Sequence, residues 1–377
     1  MRLVPAELGK NVRCCSRTVR VLRREWRNVK HTKGGHMVSV RARAFIAAAR
    51  LQRKKSFYAT EAGMRRRLSA HQSAARCEPP RSVRRRRRIT RHEVQGHSCY
   101  TLHPDGRWDG LHIFHLHGGG FVEQPEKHHW RFADSLVGTL GCRYSMFMYP
   151  LAPEHDHREI TAVSRRAYRE MMADTPQSGR VLFGDSAGGS LSLGIAQELR
   201  DRGEAQPACI ALFSPWLNMA VDHELSQVIE PHDPELGIAG LQQAGRWYAA
   251  DRPLDDPELS PEHANLAGIA ALSIFIGTRD ILLPDALLLH FNASTVGTDS
   301  RLQIYDGMFH NWAMKPIPEA HRARRQLIEF LAESTRAAAL SEKEQTHHDR
   351  SDNRGDHRNR PTARHRELDV EAHHSGG

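Results

Sequence analysis

The hexapeptide Gly184-Asp185-Ser186-Ala187-Gly188-Gly189 stands between an apolar run over 181–183 and a helix-like pattern that begins at Ser190. A chain that passes from strand to helix in so few residues must turn sharply. Any side chain two places before or after the turning residue would meet the crossing backbone. Gly184 and Gly188 fill those two places, so the spacing predicts a strained strand-to-helix turn with Ser186 lifted clear at its tip, the setting of a serine nucleophile. Gly-x-Ser-x-Gly also occurs in ordinary glycine-rich turns, and the rest of the chain has to supply what a nucleophile needs.

The surrounding pattern is an alternation. Extended sequence over 89–102 ends at the Pro104-Asp105-Gly106 turn. Strands then follow over 111–116, 142–148, 180–183, 208–213, 271–276 and 302–305, with helices over 128–140, 160–172, 190–202, from 285, and over 319–334 between and after them. Residues 217–266 read as irregular to helical. Strands and helices in turn predict a mostly parallel sheet covered by helices on both faces.

His117-Gly118-Gly119-Gly120-Phe121 follows the strand over 111–116. Glycines there leave backbone N–H groups free to face a carbonyl oxygen, and with the N–H of Ala187 they would complete an oxyanion hole. A phosphate-binding loop is the competing reading. It lacks a Gly-Lys-Ser/Thr ending and a Gly-x-Gly-x-x-Gly fingerprint. An acid and a histidine are then needed downstream. Asp280 lies just past the strand over 271–276 and His310 just past that over 302–305, both at strand carboxyl ends where open α/β sheets place their sites. Asp285 and Asp306 compete for the acid's place. Asp285 falls one turn into a helix and Asp306 precedes His310 by only four residues, so Asp280 is preferred. The roles follow: Ser186 attacks, His310 moves the proton, and Asp280 orients and stabilises the imidazole.

With these residues in place the chain resembles the hormone-sensitive-lipase-like α/β-hydrolases, the bacterial family IV esterases. Five motifs carry the resemblance in order: His117 to Phe121; Tyr149-Pro150-Leu151-Ala152-Pro153-Glu154-His155; Gly184 to Gly189; Gly277 to Asp280; and Gly307 to His310. It spans about residues 88–335, with a weaker likeness of 38–87 to the family's N-terminal cap. The resemblance implies an α/β-hydrolase fold with an N-terminal helical cap, and a catalytic Ser186, Asp280 and His310. It further implies oxyanion N–H groups from Gly118, Gly119 and Ala187, with His117, Gly120, Gly184, Asp185 and Gly188 as motif support. It implies cleavage of carboxylic esters with short to medium acyl chains and no cofactor. Deacetylase, lactonase or amidase chemistry on the same triad is the alternative, and a basic-arm binding protein on an inactive scaffold is the rival from another class. Two departures bear on the pocket rim: Trp312 where an aliphatic residue or Phe is frequent, and an acid turn from Asp280 to Asp285 one residue looser than usual.

Net charge must be read by segment. The formal +10 divides into 27 Lys+Arg against 4 Asp+Glu over residues 1–91, a balance of +23, and −13 over the remainder. The Arg84 to Arg88 run has no aromatic interleaving, zinc module or helix-turn-helix beside it, so no nucleic-acid partner is expected. It reads as a solvated or loosely ordered entry to the first strand. Peripheral contact of the basic N-terminal segment with an anionic membrane surface is the better functional reading. Residues 1–36 read as an unstructured extension, or as sequence upstream of a start at Met37. Residues 37–87 read as a basic helical cap segment, 88–340 as the catalytic domain, and 341–377 as a disordered tail. No apolar stretch reaches the ~20 residues of a membrane span. Six cysteines without a Cys-x-x-Cys pair point to free thiols in a reducing compartment, hence a cytoplasmic location.

Other features have plainer readings. His112 faces opposite to His115 and His117 on a strand, and no carboxylate or Cys cluster adjoins them in sequence, so no metal is expected. His155, Asp156 and His157 suit a loop and a helix cap. Trp216, Trp247 and Tyr248, in or beside the stretch over 217–266, are candidate walls of an acyl pocket.

Overall fold

The computed structural model describes residues 38–52, 54–72 and 77–355. An eight-stranded sheet forms the centre: β1 (Ile89–Val94), β2 (His97–Leu102), β3 (His112–Leu116), β4 (Arg143–Phe147), β5 (Arg180–Asp185), β6 (Cys209–Phe213), β7 (Leu272–Gly277) and β8 (Ser300–Tyr305). Their spatial order is β1-β2-β4-β3-β5-β6-β7-β8. The first hairpin and the β2–β4 pair are antiparallel, and every other pair is parallel. This is the mostly parallel sheet the alternation predicts, in the α/β-hydrolase arrangement the resemblance implies.

Side-chain alternation builds two cores, one on each face of the sheet. Phe114, Leu116, Leu182, Ile210, Leu212 and Ile274 join the core formed with α5 (His157–Met172), α6 (Ala187–Asp201) and α9 (Leu283–Thr295). Ile113, Val181, Phe183, Ala211, Phe213 and Phe275 point the other way, into a core with α4 (Lys127–Leu140) and α10 (Pro318–Gly355). Strands covered on both faces read as continuous apolar runs. In α5, Ile160, Val163 and Ala167 recur at helical spacing and are buried, and Asp156 caps the helix by accepting the Arg158 N–H at 2.9 Å.

Two elements differ from the sequence pattern. Residues 89–102 form a hairpin instead of one extended stretch: Gln95 (φ 48°) and Gly96 (φ 82°) are both left-handed, the backbone of a two-residue turn that follows strand twist. The last helix runs through Gly355, so residues 341–355 are helical rather than tail. Once a helix is nucleated, Glu, Lys and Gln extend it cheaply. The Glu342 carboxylate also accepts the Ser178 N–H (2.9 Å) and Oγ–H (2.7 Å), tying this stretch to the turn before β5. Residues 1–36 and 356–377, with Cys14 and Cys15, lie outside the described residues.

The N-terminal segment holds α1 (Val40–Leu51) and α2 (Glu61–His71), followed by a short α3 (Arg81–Arg84). Ser39, at the start of α1, gives its N–H (2.7 Å) and hydroxyl (2.9 Å) to the Glu319 carboxylate of α10. The arginine run after α3 is not a loose entry. Arg86 and Arg87 each place Nε 2.9 Å from an Asp134 oxygen on α4, and Arg84 pairs with Glu78 at 2.9 Å. The insertion after β6 carries α7 (Glu224–Ile229) and α8 (Ile238–Ala249). Segment and insertion meet at Tyr58, whose carbonyl accepts the Gly240 N–H at 2.9 Å. Among the described residues no helix is long and apolar enough to cross a membrane, and the described cysteines are all free thiols.

Candidate active site

Ser186 sits between the end of β5 and the start of α6 with φ 51° and ψ −122°. A side chain at that φ is strained, and such strain persists only where the surroundings over-determine it. They do so here. A Cβ on Gly188 would collide with the Leu116 carbonyl, and one on Gly184 with the Gly188 carbonyl, so strand and helix approach only because both are glycine. The Ser186 N–H donates to Phe213 (3.0 Å) and its carbonyl accepts the Trp216 N–H (3.0 Å), fixing the turn from both sides.

The glycine loop lies directly opposite. A Cβ on Gly118 would stand 2.9 Å from Ser186 Cβ, so the two residues touch. Gly119 (φ 127°), Gly120 (φ 58°) and Phe121 (φ 63°) turn the loop, which closes through the Val122 and Glu123 N–H groups on the Gly119 carbonyl at 2.9 Å each. The N–H groups of Gly118, Gly119 and Ala187 have no acceptor among the described residues. His117 stacks on Tyr149 with ring centroids 4.4 Å apart, and the Tyr149 hydroxyl donates to the His117 carbonyl at 2.6 Å, bracing the loop from beneath.

His310 and Asp280 meet at the same edge, Nδ1 to Oδ2 at 3.0 Å, with both residues buried. An imidazole that gives its Nδ1–H to a carboxylate keeps Nε2 as the acceptor nitrogen, the form of a general base. Burial alone would disfavour the imidazolium. Asp280, with Asp233 and Glu235 behind it, outweighs burial and raises His310 above the ordinary histidine value. The other two acids are engaged elsewhere. Asp306 accepts the Thr278 hydroxyl at 3.0 Å. Asp285 Oδ2 accepts the N–H groups of Leu217 (2.7 Å) and Asn218 (3.0 Å), and the residue lies beside His223 and Glu262. His223 Nε2 is 2.9 Å from Glu262 Oε2, with the Asn218 amide N–H₂ also against it at 3.2 Å. Burial and the Glu262 charge push Asp285 up to about 8, and the two carboxylates push His223 up to about 9 against the effect of burial.

A second buried histidine–carboxylate group stands behind Ser186. Asp185 receives His115 Nε2 (2.7 Å), His129 Nε2 (3.2 Å) and Asn311 Nδ2 (2.6 Å). The Glu126 N–H donates to His129 Nδ1 at 2.9 Å, which leaves the His129 proton on Nε2, aimed at Asp185. Burial would raise the Asp185 carboxyl, yet these donors hold it well below the usual carboxylate range. Burial lowers His115. His112, on the opposite face, is taken up by Thr175 (3.0 Å) and Ser145 (2.7 Å). His129 and Asn311 carried no sequence signal toward this group, because both reach it from distant segments.

Of the aromatic candidates, the structure brings two together. Phe121 stacks on Tyr248 (3.7 Å between centroids) and lies 5.5 Å from Trp216, an aromatic wall beside the glycine loop. Trp247 does not join it. One residue along α8 it faces another way, lining a surface cleft of about 450 Å³ with Pro153, Glu154, Asp156 and Glu159, and the Arg65 guanidinium lies 5.0 Å from its ring centroid. Trp312 is not on the rim either. It is buried against Tyr305, 4.3 Å between centroids, in the core beneath α10.

Comparison with known proteins gives the same frame. A family model described as alpha/beta hydrolase fold matches residues 113–314. An acetyl-hydrolase of Streptomyces hygroscopicus is 29% identical over 64% of this chain and 81% of its own length. An esterase of Acinetobacter venetianus is 29% identical over 58% of this chain and 73% of its own. Among solved structures, an esterase from the bacterial hormone-sensitive lipase family superposes with a TM-score of 0.67 at 26% identity, covering 79% of this chain and all of that one. EstE5, in crystals soaked with p-nitrophenyl butyrate, gives 0.62 at 25% identity over 84% and 98%. The chain belongs to the α/β-hydrolase fold family, in its hormone-sensitive-lipase-like branch.

Proposed function

We propose that the protein is a carboxylesterase-type serine hydrolase that cleaves esters of short to medium acyl chains through an acyl-enzyme. The observation that carries this is the strained Ser186 in contact with Gly118, at the sheet edge that also holds the His310–Asp280 pair. Ser186 Oγ attacks the ester carbonyl as its proton passes to His310 Nε2. The N–H groups of Gly118, Gly119 and Ala187 receive the oxyanion, each such donor being worth roughly 10²–10³ in turnover. His310 returns the proton to the leaving alcohol, and Asp280 stabilises the imidazolium meanwhile. Water then enters on the same base and releases the acid. Phe121, Trp216 and Tyr248 form the acyl wall, and the N-terminal segment with the insertion forms the cap. A small acyl group is favoured by the names of the relatives, an acetyl-hydrolase and an esterase crystal soaked with a butyrate ester.

The test is a series of p-nitrophenyl esters from acetate to laurate, with matched anilides and lactones, on the protein and on Ser186→Ala. The substitution is expected to lower kcat by about 10⁶ and to abolish fluorophosphonate labelling. Labelling that persists assigns the nucleophile elsewhere. Anilides or lactones turned over faster than every ester would replace esterase by amidase or lactonase.

A specific observation favours membrane-surface contact as an additional property. Val40 (72% exposed) and Leu51 (86% exposed) stand on α1 among the exposed Arg41, Arg43 and Arg50, apolar and cationic groups on one helix. Co-sedimentation of the full chain with anionic vesicles at low salt, lost in Val40→Glu/Leu51→Glu, is the expected result.

A further inference from the structure

Two side chains of the insertion close on both backbone polar groups of one residue in the turn that carries Asp280. The Ile281 N–H donates to Asp233 Oδ2 at 3.1 Å, and the Ile281 carbonyl accepts the Ser226 hydroxyl at 2.6 Å. Both Ser226 and Asp233 are buried. Asp233 is itself immobilised: Oδ1 accepts the N–H groups of Glu235 (2.8 Å) and Leu236 (2.9 Å), and its own N–H donates to the Ile229 carbonyl at 3.2 Å. Ile281 follows Asp280 directly. Holding both polar groups of residue 281 fixes the direction in which the Asp280 side chain leaves the turn, with Oδ1 on the Leu282 N–H (3.1 Å) and Oδ2 on His310 (3.0 Å).

A neutral acceptor would serve for the clamp alone. A second carboxyl group buried beside Asp280 is costly, and the clamp by itself does not require one. The charges of Asp280, from the turn after β7, and of His310, from the loop after β8, both act on it, and Glu235 from its own segment adds its charge to theirs at the imidazole. Burial and the Asp280 charge push Asp233 up to about 7, so its charge responds to the state of the pair.

We propose that Asp233 is a positioning residue for hydrolysis: with Ser226 it locks the acid turn from within the insertion, and it supplies a second carboxyl group to the Asp280–His310 pair. The inference rests on reading that pair as the catalytic acid and base. It makes the insertion part of the base's machinery as well as a wall of the pocket.

The test uses the full chain with p-nitrophenyl butyrate. Asp233→Asn removes the charge and one acceptor oxygen, and is expected to lower kcat about tenfold while KM stays within about twofold, because the reacting groups and not the pocket are displaced. Removing a negative charge that faces His310 disfavours the imidazolium, so the acid limb of kcat/KM moves to lower pH, by about half a unit. Asp233→Glu keeps the charge and is expected to keep the limb. Ser226→Ala loosens the clamp without altering charge, and is expected to lower kcat about threefold with the limb unmoved. An Asp233→Asn enzyme with unaltered kcat and pH profile overturns the proposal. In the unsubstituted protein the downfield His310 Nδ1–H resonance is expected to shift in two steps with pH, and a single step overturns it equally. Asp280→Asn separates the two readings: if it retains full kcat/KM, the assignment of the pair has failed, whatever Asp233→Asn does.

Discussion

Two of the buried groups are made of the same chemistry, a carboxylate and imidazole, and are balanced in opposite ways. At Asp280 the carboxylate has one imidazole, His310, at 3.0 Å, and the outcome is a histidine raised above its ordinary value. At Asp185, one residue before Ser186, the carboxylate has two imidazoles and an Asn311 amide, and the outcome is a carboxyl held far down with a lowered His115. Excess donors make a carboxylate a permanent anion and turn the pair into a brace. Excess carboxylate makes the imidazole hold a proton more strongly. The ratio of partners within each group decides its role, since both groups are buried.

That difference can be broken most directly by removing one charge from each. Asp280→Asn is expected to lower kcat by about 10⁴, because the imidazolium of the transition state loses its partner and the imidazole its tautomer. Asp185→Asn is expected to leave kcat/KM of the folded protein within about tenfold while lowering stability by about 3–5 kcal/mol, the cost of breaking a buried charged network. Ester kinetics and denaturant unfolding of the two variants check the pair of outcomes. Exchanged results would mean that the brace and the base have been assigned the wrong way round.

Proton titration separates the groups more finely. His310 must be neutral to act, and its value is raised, so kcat/KM is expected to fall as pH drops through a midpoint above about 6.5. Asp185 is depressed in the folded state. Its stabilisation is complete above the unfolded carboxyl value of about 3.9 and is lost as pH falls through the folded value. Activity should therefore fail at a higher pH than the fold does, and Asp185→Asn should flatten the acid limb of stability alone. The smallest effect is expected from His129→Gln, which keeps an N–H for Asp185. Its cost is about 1 kcal/mol with kcat unchanged.

What could be read from the chain beforehand follows the range of the forces involved. The turn at Ser186 and the glycine loop are local: steric demands at Gly184 and Gly188 act within a few residues and leave a spacing. The alternation of strands and helices is equally local in origin. The Asp185 brace is not, because His115, His129 and Asn311 come from three separate segments and each looks ordinary where it stands. Asp233 and Ser226 are hidden for the same reason, lying about fifty residues from the turn they hold. A place in the stretch over 217–266 does not tell Trp247 from Tyr248, since neighbours on a helix point about 100° apart. Of the arginines before β1 most are exposed, as a solvated run would be, and the anchoring of Arg86 and Arg87 is not legible because Asp134 is nearly fifty residues away.

Tyr58 carries a last consequence. Its hydroxyl reaches Glu123 at 2.5 Å under the glycine loop and lies 3.2 Å from where a Cβ on Gly120 would stand, while its carbonyl holds Gly240 so closely that no side chain fits there. One residue of the N-terminal segment thus spans the loop and the insertion together. For recombination among relatives, residues 38–72 and 217–266 then behave as a single inheritable unit. A chimera that exchanges one without the other leaves Tyr58 facing a foreign surface at one end, and melting should fall below that of either parent unless both are exchanged.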